Sequence, residues 1–304
     1  MKLKKNMSNP GLNERPQITR SKFMLSPQRL SKYPVLVLCS IFFLSLILFI
    51  FIFTDTLAPF SYKEQDLINR LQPPAFMGGP EQYLLGTDEL GRDLFSRLLY
   101  GIRFSIFVAI LGTLIGALLG TFIGFVAAHL RGIVEESVMM LVDVQASLPF
   151  MLIALAVLAF FGNSFVLFIA IMGVNGWERY TRLTRGMVIQ ATTHGYAVAV
   201  RSLGARPFRV YGRHILPNIA NVLIVQFTLN FPQTILLETS LSFLGLGVQP
   251  PLTSLGQMLG GGRSHLMLAW WIAVFPGIVI FLTTLSISIF GDWLRDRLDP
   301  TLRQ

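Results

Sequence analysis

Tyr196-Ala-Val-Ala-Val-Arg-Ser-Leu-Gly204-Ala-Arg-Pro-Phe-Arg-Val-Tyr-Gly-Arg-His-Ile215-Leu-Pro217-Asn218 is a polar, basic stretch lying between two long apolar runs. Residues 195–203 have helical composition. Gly204 is a natural stop for that helix, because glycine takes the left-handed conformation without a Cβ clash. A second short helix fits from about Pro207, since proline is tolerated in a first turn. Pro217 closes that helix or starts the next. The pattern predicts a helix–Gly–helix elbow held between membrane spans. Its charge gives the side: Arg179 to Arg213 contains seven arginines and no acid, which marks a cytoplasmic segment. Attraction to anionic lipid head groups explains the same charge more simply.

Composition agrees with membrane residence. The 304 residues are 53% hydrophobic and only 13% charged, against about 25% charged in a soluble domain. The net charge of +9 gathers in a tail and between apolar runs, which fits a membrane surface better than nucleic acid. The lone cysteine, Cys39, rules out an intrachain disulfide, and no two of the four histidines have metal-ligand spacing.

Outward from the elbow, six apolar crossings account for the chain as an all-α integral membrane protein with both termini cytoplasmic. Residues 1–33 carry eight Lys or Arg against one acid and form a basic tail held inside. The apolar run of residues 34–54 is too long for a secretory signal core and long enough to cross as the first helix. Residues 55–103 are then extracytoplasmic. They include Gly86-Thr87-Asp88-Glu89-Leu90-Gly91-Arg92-Asp93, where Asp88 reads as the N-cap of a short amphipathic helix with Leu90, Leu94, Phe95, Leu98 and Leu99 on one side. Residues 104–292 form a core of five further helices, and 293–304 a cytoplasmic end.

Within that core, the second span covers about 104–128. Its Gly112, Gly116, Gly120 and Gly124 recur every four residues and form a ridge that lets a neighbouring backbone approach, in this subunit or another. Residues 144–177 carry no charge, too long for one ordinary span and right for two short ones, about 138–161 and 164–180, turning at Gly162-Asn163-Ser164. Asp143 sits near the cytoplasmic start of span three, where an ionisable residue serves function or pairs with Arg131 or Arg185. Span five, about 219–244, holds Pro232, a kink signal, and Glu238, which faces a polar path or ties two helices together. Trp270 and Trp271, at the start of span six, suit an outer interface.

The elbow resembles the EAA loop of ABC-importer permeases. More narrowly, it is similar to the C-type permeases of the dipeptide/oligopeptide/nickel group, which read Tyr-Val-Glu-Ala-Ala-Arg-x-Leu-Gly, about ten residues, then Ile-Leu-Pro-Asn. Tyr196, Ala199, Arg201, Leu203, Gly204, Ile215, Leu216, Pro217 and Asn218 fall on that pattern. Val198 stands at the glutamate position and Val200 at the second alanine, which changes the usual polar contact to the ATPase. The Gly-Thr-Asp-x-x-Gly-Arg-Asp run, the Asp143-to-Pro149 spacing, Ser240-Leu-Ser-Phe-Leu-Gly-Leu-Gly and the Gly291-Asp-Trp end also match, covering roughly residues 34–301. The resemblance implies the ABC importer type I permease fold in a bacterial inner membrane. It also implies a second, B-type permease subunit, two ATP-binding subunits docked on the elbows, and a solute-binding protein. Coupling is expected at Tyr196, Val198, Ala199, Val200, Arg201, Gly204, Ala205, Arg206 and Pro217, with the two valines filling a groove on the ATPase. No Gly-x-x-x-x-Gly-Lys-Ser/Thr loop occurs, so ATP and Mg belong to the partner subunits, and no catalytic constellation or cofactor is expected in this chain. Peptides are the expected cargo; nickel, glutathione and glycosides are carried by close relatives. The competing readings are a stand-alone secondary transporter, for which paired repeats with broken helices are the usual signal, and a passive scaffold. No broken helix is evident in the spans.

Overall fold

The computed structural model describes residues 34–193, 195, 200, 204, 206 and 209–298, and the fold is that of the unit from Leu36 onward. The regular structure among the described residues is helical. Their one β-type pairing is an isolated bridge between Thr87 and Asp93. In chain order the helices are α1 (Pro34–Leu57), α2 (Leu94–Leu130), α3 (Gly132–Ser147), α4 (Phe150–Phe161), α5 (Phe165–Val174), α6 (Trp177–Thr193), α7 (Leu216–Phe243), α8 (Leu255–Gly262) and α9 (Trp271–Leu298). Among the described residues, four helical stretches are long and apolar enough to cross a membrane: Val35–Leu57, Leu94–Leu130, Val210–Phe243 and Trp271–Leu298. The bent pair α3–α4 makes a fifth if counted as one span.

α2 is the axis. Its 37 residues extend about 55 Å at 1.5 Å per residue, well beyond a hydrocarbon core of about 30 Å. The helix starts later than the sequence suggests and does not lie apart on the surface. Asp93, not Asp88, is its N-cap, accepting from the Ser96 amide at 2.8 Å. From Leu94 it runs on into the apolar span without interruption. Burial pushes the Asp93 carboxyl above the usual carboxylate range, while the bond from Ser96 opposes that shift. Leu94, Leu98 and Ile102 are buried with Leu255, Met258, Trp271 and Ile272, so this end of α2 sits in a protein core rather than on a lipid surface.

The glycine ridge finds its neighbour within the chain. A Cβ on Gly112 would lie 2.7 Å from Met172 Cβ, one on Gly116 2.9 Å from the Asn175 carbonyl oxygen, one on Gly120 2.3 Å from the Trp177 carbonyl oxygen, and one on Gly124 2.7 Å from Thr184 Cβ. The seam therefore runs along α5 and α6. Thr181 Oγ1 donates across it to the Gly120 carbonyl at 3.0 Å.

The two short spans are not straight helices. α3 and α4 meet at 88°, because Pro149 lacks an N–H and forces Leu148 into extended backbone (φ −101°, ψ 138°). A broken helix is thus present, contrary to the expectation from sequence. The turn at Gly162–Ser164 forms as expected: Gly162 has φ +82°, and Ser164 caps α5 through a 3.2 Å bond from the Leu167 amide. α5 then stops at Val174, and Gly176 (φ +85°) lets the chain turn into α6 against Asn230. α7 continues through Pro232 without a break. Trp271 is no interface anchor: it is 4% exposed and donates its indole N–H to the Thr87 carbonyl at 3.2 Å.

Candidate functional site

Tyr196, Val198, Ala199, Arg201 and Ala205 of the elbow lie outside the described residues, as do the tail 1–33 and residues 299–304. Gly204 has φ +78°, and a Cβ there would meet nothing within 4 Å; the position demands glycine for its backbone, not for space. Val200 is half-buried in a cluster with Ala128, Val188, Ala191, Val210, Ile215 and Ile219. Part of its side chain packs against this core. Arg206 is exposed, and its carbonyl accepts from the Arg209 amide at 3.0 Å.

The second arm of the elbow is continuous with α7. Val210–Ile215 form a wider, π-type turn, and Pro217 falls in the first turn of the α-helix that follows. Pro217 therefore starts the next helix. Tyr211 in the π stretch stacks near Phe125 and His129 of α2, and its hydroxyl lies 3.0 Å from His129 Nδ1. The elbow is thus fastened to α2 on one side and prolonged into α7 on the other.

Polar side chains line the buried face between α2 and α7. Glu238 is fully buried and accepts from Ser105 Oγ at 3.1 Å and Ser242 Oγ at 2.8 Å. Ser105 Oγ in turn accepts from the Leu255 amide at 3.1 Å, which draws α8 into the same knot. Thr113 and Thr234 bond at 3.2 Å further along the same pair of helices. Glu238 sits among bonded partners as a tie between helices.

Asp143 pairs with Arg182 at 2.8 Å, with both side chains more than half exposed. It does not pair with Arg131 or Arg185, the partners expected from sequence; Arg185 instead reaches Glu135. The register of α3 against α6 decides this, and the order of residues along one chain does not contain it. An exposed pair of this kind contributes about 0–1 kcal/mol.

Two polar groups go beyond the sequence expectations. One surrounds Asp88, which is fully buried and accepts from the Leu90 and Arg92 amides at 2.8 and 2.9 Å, from Arg92 Nε at 2.7 Å, and from the Arg97 guanidinium. Arg97 is itself 4% exposed and reaches Thr253 at 3.4 Å. A cleft of about 680 Å³ opens beside it, lined by Lys63, Glu89, Arg92, Arg97 and Gln257 among others. The other group lies at the α5–α6 break. Trp177 Nε1 donates to Gln145 Oε1 at 2.5 Å, and Gln145 Nε2 donates to Glu178 Oε2 at 3.3 Å. Arg179 bonds to Gln233 and Asn230 of α7 and lies 3.6 Å from Glu178. One sequence signal does point to it: the arginine-rich run begins only two residues after the charge-free stretch ends.

Comparison with known proteins agrees with this architecture. Residues 116–304 match the family described as binding-protein-dependent transport system inner membrane component. Residues 27–74 match the N-terminal TM domain of oligopeptide transport permease C. The chain is 38% identical to the di/tripeptide transport system permease protein DppC of Pseudomonas aeruginosa over 262 residues, 86% of each chain. It is 34% identical over 294 residues to the glutathione transport system permease protein GsiD of Pectobacterium atrosepticum, covering 94% of this chain and 95% of that one. Among solved structures, a chain of the inward-facing MetNI methionine ABC transporter superposes with a TM-score of 0.52 at 17% identity, covering 68% of this chain and 98% of that one. That likeness concerns the fold.

Proposed function

Because the chain belongs to the family of binding-protein-dependent transport system inner membrane components, we propose that it is the permease subunit of a peptide importer, driven by separate ATP-binding subunits that press on its elbow. It is a multi-pass inner-membrane protein, and peptide permeases are among its relatives. The observation that carries the coupling reading is the unbroken helical path from Val210 through the π stretch into α7. A push at the elbow moves the inner end of a helix whose other end holds Glu238 and packs on α2. Gly204 sets the angle at which the push is received.

In this reading α1, α2, the α3–α4 pair, the α5–α6 pair, α7 and α9 make six crossings. Residues 1–33 and 293–304 lie in the cytoplasm, and 55–93 lie outside. The arginine run and the basic tail support that orientation. A second, B-type permease subunit completes the path, two ATPases bind ATP and Mg, and a binding protein delivers cargo to the outer face, where the Asp88–Arg97 knot braces the entrance to α2.

The test is uptake of a labelled dipeptide into proteoliposomes holding the complete complex, with binding protein outside and ATP inside. A Cβ-bearing residue in the left-handed conformation costs roughly 1–2 kcal/mol. Gly204→Val is therefore expected to assemble normally and to lower uptake about tenfold, the factor that about 1.4 kcal/mol represents on a rate. Wild-type uptake without ATP would favour a stand-alone transporter. Unchanged uptake in the variant would remove the elbow from the mechanism.

A further inference from the structure

Glu178 and Arg179 occupy a depth at which charge is costly. The apolar, charge-free part of α2, Phe104 to Ala128, is centred on Gly116. Gly116 packs against Asn175, and Gly120 against Trp177 and Tyr180. At the other limit of that stretch, Ala128 packs in one cluster with Val188 and Ala191. Nine residues of α6 separate Arg179 from Val188, about 14 Å of helix at 1.5 Å per residue. Arg179 therefore lies close to the middle of a hydrocarbon core about 30 Å thick, too deep for its head group to reach the polar boundary.

Charges at that depth face a protein interior or a water-filled path, not lipid. The Arg179 side chain is 47% exposed in this subunit, against 13% for Glu178. Gln233 of α7 is exposed beside it, and Gln145 of α3 is half-buried. Three helices thus present one open polar face at mid-membrane. The bonds within it have a direction. Trp177 fixes Gln145, Gln145 fixes Glu178, and Glu178 stands against Arg179 Nε as its counter-ion. Gln233 and Asn230 both accept from Nη1, which leaves Nη2 without a partner among the described residues. A guanidinium held at Nη1 and faced by a carboxylate at Nε keeps the N–H donors of Nη2 open, and a carboxylate oxygen can accept a charge-assisted hydrogen bond there.

We propose that Arg179, held by Gln233 and Asn230 and faced by Glu178, is a station on the translocation path that receives the free carboxylate of the cargo. This rests on the peptide-importer reading and adds to it a recognition group within the permease itself. A short peptide carries such a carboxylate at its C-terminus. In the open path the carboxylate replaces water on a cation that the protein has already desolvated on its other side, so the contact is brief but selective.

The experiment uses the complete detergent-solubilised complex with no binding protein present, so that selection by the binding protein does not enter. Benzoylphenylalanine replaces Leu236, an exposed residue one turn along α7 from Gln233, and is photolysed with a radiolabelled dipeptide. Labelling is expected to be competed about tenfold better by unlabelled dipeptide acid than by its C-terminal amide. Arg179→Gln is expected to abolish that preference. Arg179→Lys is expected to keep part of it, and Arg182→Gln, which breaks only the exposed pair with Asp143, to keep all of it. Equal competition by acid and amide, an unchanged preference in Arg179→Gln, or no labelling at all would overturn the proposal. ATP-dependent uptake by the same wild-type preparation is read separately: its absence counts against the importer, while its presence with no acid preference counts against the station alone.

Discussion

Gly120→Val is expected to separate α2 from α6 and to be the most damaging single change on the glycine ridge. A Cβ at this position would lie 2.3 Å from a backbone oxygen, that of Trp177, and 2.7 Å from Tyr180 Cβ. No side-chain rotation relieves contact with a backbone atom, so the helices must part. Overpacking in a tight core costs about 1–3 kcal/mol. The 3.0 Å bond from Thr181 to the Gly120 carbonyl adds about 0.5–1.5 kcal/mol when lost. Together these come to about 3 kcal/mol, enough to lower the thermal midpoint of the purified complex by several degrees. Gly186, on α6, is the control: a Cβ there meets nothing within 4 Å, and Gly186→Ala is expected to be neutral or stabilising by up to about 1 kcal/mol. If the two variants melt together, the ridge is not a packing seam.

Removing the carboxylate of Asp88 is expected to cost still more. Asp88→Ala leaves the Arg97 guanidinium, 4% exposed, without its counter-ion. Deleting one partner of a buried pair typically costs about 3–5 kcal/mol, because the survivor is left charged and desolvated. The Leu90 and Arg92 amides lose their acceptor as well. The expected result is loss of assembled complex from membranes, measured by quantitative blotting and by the thermal midpoint of what remains. The double variant Asp88→Ala with Arg97→Met is expected to recover much of the loss, since it removes the stranded charge. Asp143→Ala, at an exposed pair, is expected to change the midpoint little. A double variant as unstable as Asp88→Ala alone would mean that the loop backbone, not the ion pair, carries the energy.

Local features are legible in the chain. Glycines at every fourth position announce a seam, Gly162–Ser164 announces a turn, and Gly204 announces a left-handed bend; each depends on near neighbours in sequence. What lies across space is not legible in the same way. The ridge says nothing of α6 as its neighbour, because periodicity describes one helix surface and not what covers it. The arginine that pairs with Asp143 is hidden for the same reason, since Arg182 and Arg185 differ by one turn and only packing chooses between them. Asp88 reads as a cap because the residue type is right, yet Asp93 caps α2 and Asp88 gathers Arg97 from nine residues away. Pro149 is in plain view, but whether a proline bends a span slightly or breaks it by 88° depends on what waits to receive the second half. Arg179 counts with the cytoplasmic arginines in the sequence because charge alone carries no depth.

The bend around Gly204 is expected to face the ATPases across the cytoplasmic surface and to pass their motion to α7. A single cysteine at Arg206, an exposed position, in a Cys39→Ser background tests it most directly, using a membrane-impermeant maleimide on right-side-out and inside-out vesicles. Labelling is expected only in inside-out vesicles, with protection when the ATPase subunits are added back. Labelling from the outside, or labelling from the inside that the ATPases leave unchanged, would contradict it.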